Sequence, residues 1–349
     1  MTDSAMTDSA LTDRVIPDTA TTDTAGVAPG RPRWDRRLVT VGLWMAVAAF
    51  GFWAVVRLFG LERGFPLVQL MAFTPYVAGA ALAVPLLAAA LRRWPAAAVS
   101  AAVAVALVSC VLPRSLADGG ALPAGPTLRV LTANMLVGGA DPAAIVRIVR
   151  EQKVDLLALQ ELTPDAERAL ARAGLTDLLP NASSHPLDGV GGSGLYSRFP
   201  LRDEGMRMNP SGFGQAMATL SVPGAGPIAV ESAHPCPPLE RTAASCWDRG
   251  LAAEPPATVD GQVRILLGDF NATLDHAALR RLLATGYRDA ADIAGAGLRA
   301  TWPYDKVFPR VTIDHVLADR RVGVRRVDVR PLPGGDHRAV FAELVLPPG

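Results

Sequence analysis

Three uncharged apolar stretches, residues 38–56, 66–91 and 96–112, constrain this chain of 349 residues more than any other feature. A soluble core does not need such runs in succession, whereas about 20 apolar residues let a helix cross a bilayer. The first two stretches are long enough, the second being interrupted by Pro75 and Pro85; the third, rich in Ala and Val, sits near the lower limit. Residues 34–114 are therefore predicted to form about three transmembrane helices, or two if the third falls short. Arg31, Arg33, Arg36 and Arg37 precede the first stretch and Arg92 and Arg93 separate the second from the third, while the first loop offers only Arg63 beside Glu62. The excess of arginine places the N-terminal tail and the second loop in the cytoplasm. Three spans then put everything after Arg114 outside; two would reverse that.

Residues 1–33 repeat a polar unit, Thr2-Asp3-Ser4-Ala5-Met6 followed by Thr7-Asp8-Ser9-Ala10-Leu11. Such a segment buries nothing and reads as a disordered tail. It has no apolar h-region, so it does not read as a signal peptide. A linker, residues 115–126, leads to one globular domain, residues 127–349. That domain holds 24 Lys and Arg against 25 Asp and Glu, one net negative charge. No overall basic footprint for duplex nucleic acid is present. Cys236 and Cys246 lie ten residues apart without the CxxC spacing of a zinc site, and an oxidising compartment would permit a disulfide between them.

Within the domain, one device recurs: an apolar or alternating run beside a polar residue that can bind metal or move protons. The run ending in Ile265-Leu266-Leu267 leads into Gly268-Asp269-Phe270-Asn271, an acid and an amide at alternate positions that point the same way from a strand end. Similar runs lead to Asn134, to Gln160-Glu161 and to His234, and two more carry Asp314-His315 and Asp336-His337. Asp141-Pro142 and Thr163-Pro164 begin helices with an N-cap and a proline in the first turn, and Asp275 is the predicted cap of a third helix over residues 277–284. Two or three short strands joined by tight turns are predicted across residues 206–232. This mixture predicts an α/β fold of two packed mixed sheets with helices outside, a four-layer sandwich, with the polar ends gathered at one edge.

The ordered set Asn134, Gln160-Glu161, Ser197-Arg198-Phe199-Pro200, His234, Gly268-Asp269-Phe270-Asn271-Ala272, Thr301-Trp302, Asp314-His315 and Asp336-His337 resembles the endonuclease/exonuclease/phosphatase superfamily of DNase I-like enzymes. It covers nearly all of the globular domain. The resemblance implies Mg²⁺-dependent hydrolysis of phosphodiesters, with Mn²⁺ as a substitute metal. Glu161 would be the direct metal ligand, supported by Asn134 and Asp336. Asp269 would sit beside the attacking water, Asn271 would donate its amide to the phosphate, and His337 would pair with Asp314. His234 would protonate the leaving group or hydrogen-bond the phosphate; His185, His276 and His315 receive no role. Gly335 stands where the family often has Ser, and the Gly-rich turn from Gly191 to Gly194 reads as scaffold because a strand, not a helix, follows it. The leading expectation is a membrane-anchored, nuclease-like phosphodiesterase facing outward. A lipid phosphodiesterase resembling sphingomyelinases is the alternative, and a catalytically silent tethered scaffold a third. The implied partners are a phosphodiester, from nucleic acid or a phospholipid head group, and the bilayer; no protein partner is implied.

Overall fold

The apolar stretches form helices, but the weak one is not the one expected. In the computed structural model, which describes residues 33–209, 212–239, 243–307 and 309–349, they give α1 (Arg33–Phe59), α2 (Leu67–Met71), α3 (Thr74–Ala81), α4 (Ala83–Ala90) and α5 (Trp94–Val111). The tail, with the expectations placed on it, lies outside the described residues apart from Arg33. Among the described residues, two helical segments are long and apolar enough to cross a membrane, Arg36–Phe59 and Trp94–Ser115, with only 22% and 28% of their most apolar stretches buried. The third sequence stretch is thus a full-length helix. The middle one is divided, leaving the apolar segment Thr74–Ala90, about 26 Å long at 1.5 Å per residue.

Packing within this region alternates in direction. Leu43, early in α1, meets Ala88, Ala96 and Ala97, whereas Ala54 clusters with Ala78, Ala81, Ala104, Leu107 and Val111. Alanine at these positions lets the backbones approach closely. The cluster around Ala54 therefore joins the later parts of α1 and α5 to the second half of α3.

The globular part runs β1 (Thr127–Asn134), α6 (Pro142–Gln152), β2 (Leu156–Gln160), α7 (Pro164–Arg172), α8 (Leu175–Leu178), β3 (Asn181–His185), β4 (Ser193–Ser197), β5 (Leu201–Met208), β6 (Gly214–Leu220) and β7 (Ile228–Ala233). It continues through α9 (Ala243–Ala252), β8 (Val263–Asp269), α10 (Ala277–Ala284), β9 (Tyr287–Asp289), α11 (Ala290–Ile293), β10 (Asp314–Asp319), β11 (Gly323–Arg330) and β12 (Ala339–Val345). The strands form two six-stranded mixed sheets, ordered β11-β12-β1-β2-β4-β3 and β5-β6-β7-β8-β10-β9. Their inner faces interdigitate through Leu128, Val130, Leu156 and Val340 on one side and Val230, Ile265, Leu267 and Val316 on the other. Outer faces are covered by α6 and α7 on the first sheet and by α9 and α10 on the second, which completes the four-layer sandwich.

Strand direction brings the polar positions together. β1 and β2 are parallel, as are β7 and β8, so Asn134, Gln160 and Asp269 share an edge; β10 and β12 run antiparallel to β8 and β1, so their starts reach that edge too. Asp314 therefore opens a strand rather than following one. Asp141 and Thr163 cap α6 and α7 as expected, through Ala143 N at 2.9 Å and Ala166 N at 3.2 Å. Residues 206–232 resolve into parts of three strands. The strands β3 and β11 and the helix α9 were not predicted; α9 carries Cys246, which is disulfide-bonded to Cys236.

Asp275 does not cap α10. Its side chain is fully buried against two arginines from the apolar helices: Arg57 Nε lies 2.6 Å from Oδ1, and Arg114 donates to both oxygens at 2.6 and 2.8 Å. The amide of Ala277, at the start of α10, is taken by Glu62 from the loop after α1. Burial alone would raise the pKa of Asp275, but the hydrogen bonds and charge of Arg114, with those of Arg57, hold it below the ordinary value. The sign follows by linkage: a carboxylate depressed in the folded state contributes stability above its unfolded pKa of about 3.9 and loses it as pH falls through the folded value. Asp275→Asn should cost about 3–5 kcal/mol at neutral pH because it strands two buried cations. The gap from wild type should close as pH falls below about 4. Denaturant unfolding of the full chain in detergent at several pH values measures both.

Candidate active site

At the shared edge lies a cavity of about 510 Å³ lined by Glu161, His234, Asp269, Asn271, Asp336 and His337, with a largely apolar rim. Backbone strain concentrates around it. Among the described residues, six non-glycine positions have positive φ, and four of them line this cavity: Leu136 (48°), Val137 (51°), Glu161 (56°) and Asn271 (48°). A left-handed β-branched residue is costly, and each such residue costs on the order of 1–3 kcal/mol. The turn after β1 shows what the strain achieves. Leu136 N donates to Asn134 Oδ1 at 2.9 Å and Val137 N to Glu161 Oε2 at 2.8 Å, while Asn134 Nδ2 bridges Glu161 Oε1 and Asp269 Oδ2 at 3.1 Å each. Asn134, Glu161 and Asp269 form one hydrogen-bonded unit.

Asp269 and Asp314 face each other in register on β8 and β10. His337 Nδ1 lies 2.9 and 3.1 Å from the two oxygens of Asp314, and its Nε2 lies 3.6 Å from Asp269 Oδ2. Burial would discharge this imidazole, but the carboxylates of Asp314 and Asp269 override it and push the pKa up to about 10. For Asp269, burial is the main cause of a pKa raised to about 7; Asp314 adds to the rise, and His337 opposes it. The predicted His337–Asp314 pair is thus present. Thr301 orients it, since its Oγ1 accepts from Ile313 N at 3.0 Å and Asp314 N at 3.2 Å.

His234 is 1% exposed, with Nε2 3.8 Å from both Glu161 Oε1 and Asp269 Oδ2, and Phe213 packs on its ring edge at 4.8 Å. Burial above all, aided by the charge of His337, pulls its pKa down to about 3, so it is neutral at pH 7. Asn271 donates through Nδ2 to Pro235 O at 3.0 Å, leaving its second amide hydrogen for a ligand. Asp336 accepts from Trp302 Nε1 at 3.0 Å through one oxygen, while the other is buried with no hydrogen-bond partner.

Which residues could hold a cation follows from these contacts. Among the described residues, no Lys or Arg makes an ion pair with Glu161, Asp269 or Asp336. Carboxylates whose only basic neighbours among the described residues are His234 and His337, with one Asp336 oxygen that takes no hydrogen bond, suit a hard divalent cation. Asp269, Asp314 and His337 also offer ligand atoms within 4.8 Å of one another. Both Asp314 oxygens are already engaged by His337, however, which favours Glu161 and Asp336 as ligands.

Other residues hold the site in place, and of these Gln215 left no trace in the sequence. Gln215 Oε1 accepts from His234 N at 2.6 Å and so fixes that loop. Gln160 ties the sheets together, accepting from Thr132 Oγ1 at 3.2 Å and donating to Ser232 Oγ at 2.9 Å. The Gly-rich turn is scaffold, because a Cβ at Gly192 would meet Leu162 O at 1.8 Å. His315, assigned no role, is engaged by Asp289 Oδ2 and Ala272 O at 2.8 Å each.

Fold, strand order and this edge site define a phosphoesterase-type α/β sandwich. The chain belongs to the Endonuclease/Exonuclease/phosphatase family, whose model matches residues 131–337. Members hydrolyse phosphodiester bonds. Among solved structures, an endonuclease/exonuclease/phosphatase from Beutenbergia cavernae is similar with 19% identity and a TM-score of 0.50, over 63% of this chain and 72% of that one. Sphingomyelinase C from Streptomyces griseocarneus matches at 18% identity and TM-score 0.44, over 62% of this chain and 99% of that one. D. rerio TDP2 humanized by 14 mutations matches at 15% and 0.49, over 62% and 98%. No curated protein matches the sequence.

Removing the charge of Asp314 should loosen the proton on His337. In Asp314→Asn, the imidazole pKa should fall by at least about one unit towards the ordinary histidine range near 6.5. Imidazole NMR shifts followed from pH 5 to 10 test this; an unmoved titration would break the assigned pairing.

Proposed function

We propose that the chain is a membrane-anchored, Mg²⁺-dependent phosphodiesterase. The observation that carries this is the convergence of Glu161, Asp269, Asn271, His234, Asp336 and His337 on one cavity at one sheet edge. Glu161 and Asp336 would hold the metal, with Asn134 fixing Glu161 and Mn²⁺ as a substitute. Bound there, a divalent cation neutralises phosphoryl charge and lowers the pKa of water. Asp269, held by Asn134 and by Asn271 N at 2.9 Å, is placed to orient the attacking water and take its proton. His337, gripped through Nδ1 by Asp314, presents Nε2–H to the developing negative charge, so it acts as an electrostatic clamp. Asn271 donates its remaining amide hydrogen to the phosphate. His234, neutral in its buried setting, serves as a hydrogen-bonding group to the phosphate rather than as a proton donor to the leaving group.

The rim favours a lipid over a polynucleotide, reversing the order the sequence implied. Gln69, Ala72 and Phe73 from the membrane region line it, with Leu136, Val137, Val190 and Leu239, and no Lys or Arg lines it among the described residues. Polynucleotide binding draws its affinity from cations along a phosphate backbone. An amphiphilic phosphodiester needs one phosphate site beside an apolar wall. The alternating helices are read as three crossings, with α3 and α4 together making the short one, which puts the catalytic domain outside. The Cys236–Cys246 disulfide supports an oxidising compartment.

Full-length protein should hydrolyse bis-p-nitrophenyl phosphate only with Mg²⁺ or Mn²⁺, and Asp269→Ala should reduce kcat by about 10²-fold or more. Metal-independent turnover, or full activity in that variant, would leave the scaffold reading. Phospholipid vesicles should be cleaved faster than plasmid or single-stranded DNA in the same assay, and the opposite ranking would restore the nuclease reading. A reporter active only outside the cell should be active after Gly349 and silent after Arg93; the reverse pattern would put the site in the cytoplasm.

A further inference from the structure

Among the described residues, the buried side-chain hydrogen bonds between the apolar helices and the globular part fall on residues 274–277, just after Asn271. Arg57 donates to Leu274 O at 3.2 Å as well as to Asp275, and Arg114 binds Asp275 with both of its terminal nitrogens. Arg280 donates to Asp275 O and, at 2.9 Å, to Arg57 O, while Glu62 accepts from Ala277 N. His276 completes the link. Thr273 N donates to its Nδ1 at 2.8 Å, which fixes the neutral tautomer that donates from Nε2 to Val68 O of α2 at 2.8 Å. Trp247 packs its edge on His276 at 5.1 Å and donates Nε1–H to Asn271 O at 2.9 Å.

Asn271 is left-handed, with φ of 48°. A non-glycine residue keeps that conformation only where its surroundings over-determine it. Here the restraints come from Trp247 and from the segment held by the helices.

We propose that Arg57 and Arg114 are positioning residues for catalysis: through Asp275 they fix the segment after Asn271, making the membrane anchor a working part of the active site rather than a tether. This rests on the phosphodiesterase reading above, and it adds that the site is incomplete without the anchor. Phe73 and Gln69 lining the cavity fit the same conclusion.

Full-length Arg57→Met is the probe, because Arg114 continues to neutralise Asp275. With Mg²⁺ and bis-p-nitrophenyl phosphate, kcat should fall about 10-fold with KM within about twofold, the split expected when a transition-state contact is misplaced. Arg57→Lys, which keeps a cation near Asp275, should recover at least part of kcat. Hydrogen exchange in the same samples should rise at residues 270–277 and stay unchanged in β1 and β12. Unchanged exchange in that segment, raised exchange with wild-type kcat, or a loss seen only as KM would overturn the proposal. Should Arg57→Met fail to fold, Arg57→Lys alone decides: wild-type kcat together with raised exchange at residues 270–277 contradicts it, and a lower kcat at unchanged KM supports it. Wild-type protein with no metal-dependent turnover would remove the functional reading and this inference with it, an outcome distinct from loss in the variant alone.

Discussion

The site depends on one register, in which Asp314 on β10 stands opposite Asp269 on β8. Two carboxylates so placed, 1% and 2% exposed, cannot both be charged without a compensating cation. His337 provides it, bound to Asp314 and 3.6 Å from Asp269. The imidazole is thereby held cationic, while burial, opposed by His337, raises Asp269 to a pKa of about 7. A slip of one residue between β8 and β10 would turn one carboxylate to the opposite face and undo this electrostatic arrangement. The four layers fix that register by burying both faces of the central strands.

Backbone strain is the cost of bringing Asn134, Glu161 and Asn271 to the same edge. Among the described residues four left-handed ones surround the cavity, and each is secured by specific partners: Asn134 Oδ1 for Leu136, Glu161 Oε2 for Val137, Asn134 Nδ2 for Glu161, and Trp247 and Pro235 for Asn271. The close approach at Gly268, where a Cβ would meet Ala233 O at 1.9 Å, packs β8 against β7 directly before Asp269. Strain and tight packing thus lie where the chemistry needs fixed geometry.

Much of this was legible in the sequence because it rests on local rules. Proline-led caps located α6 and α7, and polar residues beside apolar runs located Asn134, Glu161, His234, Asp269, Asp314 and His337. What was not legible depends on contacts between distant segments. Asp275 has the composition and spacing of an N-cap, and only the arrival of Arg57 and Arg114 diverts it to an ion pair. Gln215 acts through hydrogen bonds across strands, to Glu231 and from His234 N, with no periodic signal. Helix α9 follows a proline-rich segment, and its role becomes visible only when Trp247 meets Asn271. Among the N-terminal apolar helices, length and hydropathy identified the apolar stretches but ranked them differently from the structure, because the prolines and turns that divide the middle one outweigh its greater length.

We propose that Glu161 and Asp336 form the metal centre, with the Asp314–His337 pair set apart as an electrostatic clamp. Diffraction from crystals of the full chain grown with Mn²⁺, recorded at the manganese absorption edge, tests it most directly. An anomalous peak coordinated by Glu161 and Asp336 is the predicted result; a peak coordinated by Asp314 and His337, or none at this edge of the sheets, would contradict it.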